Sequence, residues 1–196
     1  MEEKEISPEQ SLQIIEKMLA DARNRFCNNG FALLFWGVWI ILMVVGDYIT
    51  SHYFQKYYSN YIWMISIVVG MLFTFLFYAF AAPKKRVFTR LDSINGKLWI
   101  AFGISFLLLM FLCYKYKADG PPFIYCMIGL CMFASGGIYK FWSLYAGAFV
   151  FWLGAIVWWY FPAEIERVIL TVFIMFLGYL VPGYLLWRKA KKEANV

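Results

Sequence analysis

The chain has 196 residues, of which 63% are hydrophobic and 22% are aromatic. This composition exceeds what a water-exposed surface tolerates, so an ordinary soluble domain is excluded and most of the solvent must be lipid. The formal net charge of +6 would suggest nucleic acid in a soluble protein. Here the Lys and Arg residues stand at the ends of apolar runs, so we interpret them as a topology signal and expect no nucleic-acid partner.

Residues 1–29 are predicted to form a cytoplasmic amphipathic helix. Ser7, Pro8 and Gln10 give a helix start, with Ser as the N-cap and Gln completing a capping box. Apolar residues then recur every three or four positions. The candidate partner-binding residues are Leu12, Ile15, Leu19 and Phe26. Because the polar face carries both signs of charge, whereas helices on anionic lipid usually have a basic face, docking on protein and lying on lipid both stay open.

Six apolar runs of 17 to 22 residues follow this helix. Each run can cross a hydrocarbon core of roughly 30 Å, and in lipid it must be helical because no water is present to pair its backbone. The predicted spans are residues 31–49, 61–82, 98–114, 123–139, 141–161 and 168–187. We therefore predict an all-α integral membrane protein with three helical hairpins over residues 30–188 and a basic cytoplasmic tail over residues 189–196.

The connection over residues 83–97 orients the predicted bundle. It is short, it lies directly between two spans, and it contains five of the 18 Lys and Arg residues. Such loops keep their positive charges in the cytoplasm, and on that reading 14 basic residues lie on the cytoplasmic side and 4 on the exported side. This predicts a multi-pass protein of the bacterial cytoplasmic (inner) membrane with both termini inside. Candidate contacts for anionic lipid headgroups are Lys84, Lys85, Arg86 and Arg90.

Glycines recur seven residues apart near the start of three spans. The pairs are Gly30 and Gly37, Gly96 and Gly103, and Gly147 and Gly154. This spacing puts small residues on one helix face, where two backbones can approach closely. Duplication of a hairpin is an alternative explanation, but selection for small packing residues accounts for the same pattern. In the sixth span, Pro182 removes the hydrogen bond to the carbonyl of Gly178, so a kink is expected there.

Ionisable residues are missing from the predicted membrane interior. Residues 31–46 and the other five spans contain no Asp, Glu, Lys, Arg or His. Ion-coupled pumps and proton relays need such groups inside the membrane, so these classes are disfavoured. The sequence also lacks a phosphate-binding glycine loop, HExxH and GxSxG. We expect no catalytic residue and no cofactor, with a lipid-modifying enzyme as a distant alternative.

The four cysteines and the single histidine do not predict a metal site. No CxxC occurs, and His52 is the one histidine available, whereas zinc and haem need several suitable ligands. Cys113 and Cys126 fall near the same ends of consecutive spans, so either a disulfide or small buried thiols fit the pattern. Glu164 and Glu166 lie two apart, and we interpret them as the polar start of the sixth span.

The exported side is rich in aromatic residues. The connection over residues 47–61 reads as an interfacial helix, with a cap over a ligand pocket as the alternative. The candidate pocket residues are His52, Tyr53, Tyr57, Trp158 and Trp159.

The chain resembles the substrate-binding component of energy-coupling-factor vitamin transporters in its size, its six predicted spans, its predicted cytoplasmic termini and its aromatic interior. The likeness covers span count and composition along the chain. Where that family has small residues four apart on its first span, this chain has Ala32 and Trp36. The resemblance implies a small-molecule-binding transport component, and no ligand residue is carried over from it.

Two functional hypotheses follow. The first is a non-catalytic interaction or sensor protein that acts through its cytoplasmic face. The second is a transport component with an aromatic pocket. An enclosed cavity of roughly 300 Å³ or more would favour the second, whereas a solid bundle with an exposed apolar stripe on the N-terminal helix would favour the first.

Overall fold

The structure is a computed structural model that describes residues 13–14, 30–53, 56–77, 80 and 90–194. In these ranges the chain is all-helical, without strands. The helices are α1 (Gly30–Tyr53), α2 (Lys56–Leu76), α3 (Arg90–Tyr116), α4 (Pro121–Tyr139), α5 (Trp142–Val157), α6 (Glu164–Met175) and α7 (Val181–Ala194). A short 3₁₀ turn, Trp158–Tyr160, ends α5, and a π-helical turn, Phe176–Leu180, joins α6 to α7.

Several of these helices can cross a membrane. Five stretches are both long and apolar enough, and the last of them, Glu164–Lys189, combines α6, the π-helical turn and most of α7. The second predicted span corresponds to α2, whose shorter apolar part is Ile65–Leu76. The prediction is confirmed in its coarse form: the described chain is all-helical, and five to six of its helices are apolar enough to span a membrane.

The last helical stretch, from α6 through α7, lies between α1 and α5. It packs against both of them, and α4 packs along α5. Among the described elements, α2 has extensive contact only with α1, and α3 only with α4. The bundle therefore has a core of α1, α4, α5 and the last stretch, with α2 and α3 as peripheral helices.

Large side chains fill the core. Phe151 of α5, Met132 of α4 and Ile174 of α6 are among those that are almost completely buried. By contrast, α3 is exposed along most of its length, for example at Ile100, Leu107 and Phe111. Because lipid tails are as apolar as leucine, such exposed side chains are normal for a helix that faces a membrane.

In two of the three glycine pairs, one glycine brings two backbones together, as predicted. A Cβ atom added to Gly30 would lie 2.6 Å from the carbonyl oxygen of Gly183, and one added to Gly147 would lie 2.6 Å from that of Gly178. The second glycines of these pairs, Gly37 and Gly154, instead lie against the side chains of Leu180 and Ile174. The prediction is wrong for the third pair: within the described residues, a Cβ at Gly96 or Gly103 would meet nothing within 4 Å.

The backbone of the last stretch departs from α-helical geometry next to Pro182. The amide of Val181 donates to the carbonyl of Phe176, which is the five-residue spacing of a π-helix. The carbonyl of Gly178, which Pro182 cannot pair, instead faces the backbone of Gly147. This close approach suits a weak Cα–H···O contact between the two helices.

Candidate functional site

The end of the bundle that contains Trp158 is the one that the charge pattern assigns to the exported side, and we call it the exported end. Helices α4 and α5 are tightly packed along their middle, where Gly129 contacts the ring of Trp152. The indole of Trp152 donates to the Cys126 carbonyl at 3.3 Å. Nearer the exported end, a groove of about 440 Å³ opens between the two helices.

The lining of this groove is almost entirely apolar. It is formed by Pro122, Phe123, Cys126, Ala155, Ile156, Trp159 and Tyr160. The groove is open to its surroundings rather than enclosed. It could hold the chain of an apolar molecule by contact area, but its only titratable groups, the thiol of Cys126 and the phenol of Tyr160, do not form a catalytic pair.

The structure separates the five predicted pocket residues. Trp159 lines the groove, whereas Trp158 is 7% exposed and packs on Tyr125 in the core. His52 is exposed and lies against the rings of Tyr48 and Tyr53. The backbone of Tyr57 belongs to α2, and its side chain lies outside the described part of the chain.

Arg167 is the centre of a polar cluster at the exported end, which we call the Arg167 clasp. Its Nε donates to the Phe161 carbonyl at 2.8 Å, and its Nη1 lies 3.4 Å from Asp119. Its guanidinium also lies over the Trp158 ring, 5.1 Å from the centroid. The clasp therefore joins the turn before α4, the end of α5 and the start of α6.

Buried hydroxyls extend the clasp towards the core. The hydroxyl of Thr171 donates to the carbonyl of Arg167 at 2.8 Å, and it shares a 2.7 Å hydrogen bond with Tyr125 of α4. Sequence reasoning counted Arg167 only as a topology charge. Arg167 is the lone basic residue between the last two spans, and this position indicated a residue with a specific contact. Its ion-pair partner, Asp119, is 48 residues away in sequence and could not be identified without the fold.

A serine of α1 contacts an acidic residue of α6 near the same end. Ser51 donates to Glu164 at 3.5 Å, and Asp47 lies one helical turn before Ser51. One Asp47 oxygen is buried without a hydrogen-bond partner among the described residues, as is the indole nitrogen of Trp158. Within the ranges that the structure covers, no group of three His, Cys, Asp or Glu residues could hold a metal ion.

The thiols of Cys113, Cys126 and Cys131 are free. The disulfide alternative for Cys113 and Cys126 is thus not formed. Cys131 is buried, as the alternative of small buried thiols expected, while Cys126 is exposed on the groove.

The candidate lipid-headgroup residues and the candidate partner-binding residues belong to the opposite, predicted cytoplasmic end. Arg90 is exposed at the start of α3, while Lys84, Lys85 and Arg86 lie outside the described residues. The same is true of all four partner-binding candidates, Leu12, Ile15, Leu19 and Phe26. Of the predicted N-terminal helix, the structure describes Gln13 and Ile14, which are helical and exposed.

No protein-family profile, curated protein sequence or solved structure matches this chain.

Proposed function

We propose that the chain is a membrane-embedded interaction or sensor protein, without catalytic activity, that acts through its cytoplasmic face. The observation that carries this proposal is the division of the bundle into a tightly packed core and two peripheral helices. In the described residues the core is densely filled: Phe151, Met132 and Leu144 are each at most 1% exposed. Such a core serves as a rigid anchor.

The peripheral helices connect this anchor to the cytoplasmic side. Among the described elements, α2 packs mainly on α1 and α3 packs mainly on α4. The basic residues of the sequence 83–97 follow α2, and those from Arg90 onwards belong to the start of α3. A helix with one packing partner can change position at lower cost than one in the core. A partner or an anionic lipid that engages the connection can therefore shift α2 and α3 while the core stays fixed.

The proposal is tested by purifying the full chain from its native membrane and quantifying the proteins that remain bound. We expect a partner at near-equal amount, and we expect Leu12→Asp, Ile15→Asp and Leu19→Asp together to abolish its retention. Ile14→Asp is the matched control because Ile14 is 45% exposed and off the predicted stripe. Equal retention by both variants, or no partner at all, would contradict the proposal.

The groove supports a second candidate function, the small-molecule-binding transport component. Its apolar lining and aromatic rim suit a hydrophobic ligand, although the groove is open. Under this reading, native mass spectrometry of the full chain finds one bound apolar molecule. Ile156→Trp should displace it by filling the groove. Leu153→Trp, at another exposed site on α5, should leave it bound.

A further inference from the structure

The start of α1 and the start of α7 lie side by side at the predicted cytoplasmic end. A Cβ atom at Gly30 would lie 2.9 Å from the backbone nitrogen of Trp187. The 29 residues that precede Gly30 are therefore attached to the bundle at a point directly beside the last helix. A helix of 20 residues is about 30 Å long, so this N-terminal segment reaches any point on that end of the bundle.

The surface beside this attachment point is both aromatic and basic. Tyr184 and Trp187 are exposed there, and their rings lie 6.0 Å apart. Arg188 is exposed next to them. We call these three residues the aromatic–basic surface. From Arg188 onwards, residues 188–193 contain four basic side chains and one carboxylate.

The N-terminal segment has the complementary character. Residues 2–16 contain five carboxylates and one lysine, so their charge is opposite to that of residues 188–193. Its predicted apolar stripe of Leu12, Ile15, Leu19 and Phe26 matches the exposed rings in chemistry. Opposite charge selects this partner over others, and apolar contact supplies the affinity.

We infer that the aromatic–basic surface is the docking site for the N-terminal segment of the same chain, residues 2–26. In the proposed function, a cytosolic partner binds the apolar stripe of the N-terminal segment. Docking covers this same stripe, so the inference that docking regulates partner binding rests on the proposed function. The partner must displace α7 from the stripe in order to bind. Partner binding is therefore regulated within the chain, and loss of the acidic residues makes the stripe more available.

Disulfide cross-linking of the purified full chain in nanodiscs of neutral phosphatidylcholine tests the inference. In a background with all four cysteines replaced by Ser, Leu19→Cys is combined with Trp187→Cys. We expect a cross-link within one chain, and none for the matched pair of Leu19→Cys with Tyr160→Cys at the exported end. Changing Glu2, Glu3, Glu5 and Glu9 to Gln should lower the yield roughly threefold to tenfold, as expected for several weak exposed charge pairs.

Three outcomes would overturn the inference. They are a yield equal to that of the control pair, a yield insensitive to the four Gln substitutions, and cross-links that join two differently tagged chains. The last result would identify a second copy as the occupant. Because these nanodiscs contain no partner protein, failure of cross-linking leaves the partner-retention experiment unaffected, and loss of the partner leaves this one unaffected.

Discussion

At the scale of single residues, the glycines that face a neighbouring backbone determine how closely the core helices approach. Gly147 is the clearest case, since it lies against the carbonyl of Gly178, to which Pro182 cannot donate a hydrogen bond. Gly103 has the same predicted role on its helix, but none of the described residues lies within 4 Å of a Cβ placed there. The two glycines therefore form a natural pair for measuring what close approach contributes to stability.

Gly147→Ala should destabilise the protein by about 1–3 kcal/mol, because the new methyl would lie 2.6 Å from a backbone oxygen that cannot move alone. Gly103→Ala should be neutral or stabilising by up to about 1 kcal/mol, since alanine favours helix and meets no neighbour. Thermal unfolding of both variants in the same detergent provides the comparison. A similar loss for both would show that the approach at Gly147 is not a tight contact.

The Arg167 clasp yields a second residue-scale prediction. Asp119→Asn should cost less than about 1 kcal/mol, because the Asp119 side chain is 44% exposed and water screens the pair. Arg167→Met should cost about 1.5–3 kcal/mol, because it also removes the hydrogen bond to Phe161 and the contact with Trp158. Unfolding of the two single variants and the double variant in detergent separates these contributions. Equal costs for the two single variants would mean that the ion pair dominates the clasp.

At the scale of elements, two helices end on a lysine in the left-handed conformation. Lys117 after α3 has φ 53°, and Lys140 after α4 has φ 50°. In both turns an amide bonds back five residues, from Ala118 to Cys113 and from Phe141 to Gly136. Glycine is usual at this position because an L side chain is strained there. A lysine is strained at this position, but its positive charge interacts favourably with the negative, C-terminal end of the helix dipole.

Lys117→Gly should therefore stabilise the protein by about 0.5 kcal/mol, the relief of strain being partly offset by the greater freedom of glycine in the unfolded chain. Lys115→Gly, two residues earlier and inside α3, should destabilise it by about 1 kcal/mol. Both changes remove one positive charge near the same helix end. Lys115→Gly also removes the contact of the ammonium with the Tyr116 ring, 5.6 Å from its centroid, so the backbone accounts for most but not all of the difference. Thermal unfolding of the two variants that gave the reverse order would refute this account of the turn.

At the scale of the whole molecule, the predicted orientation is open to a direct test. Cysteines introduced in place of Lys117 and Arg188, each in a background without native cysteines, should react from opposite sides of the membrane. A membrane-impermeant maleimide added to intact cells should label position 117 and leave position 188 unmodified until the cells are opened. Labelling of both positions in intact cells would contradict the charge-based topology.

Much of this architecture could be predicted from the sequence, because a lipid environment leaves long apolar runs no alternative to helix. The close packing at two of the glycine pairs and the irregular turn at Pro182 were also predictable, since Gly and Pro act locally.

The peripheral positions of α2 and α3 could not be predicted. Lipid is as apolar as a packed neighbour, so the pattern of apolar residues does not distinguish a helix that faces lipid from one that faces protein. The Arg167 clasp depends on register between distant segments, which span counting does not provide. The separation of Trp158 from Trp159, adjacent in sequence, depends on the local 3₁₀ turn.

The contact of Gly30 with Gly183 also bears on biosynthesis. Spans leave the ribosome in order, so α1 enters the membrane before the stretch that fills its glycine face has been translated. Until then, α1 has α2 as its packing neighbour, and assembly of the core waits for the final helix. A chaperone or insertase subunit that shields α1 during this interval should therefore raise the yield of folded protein.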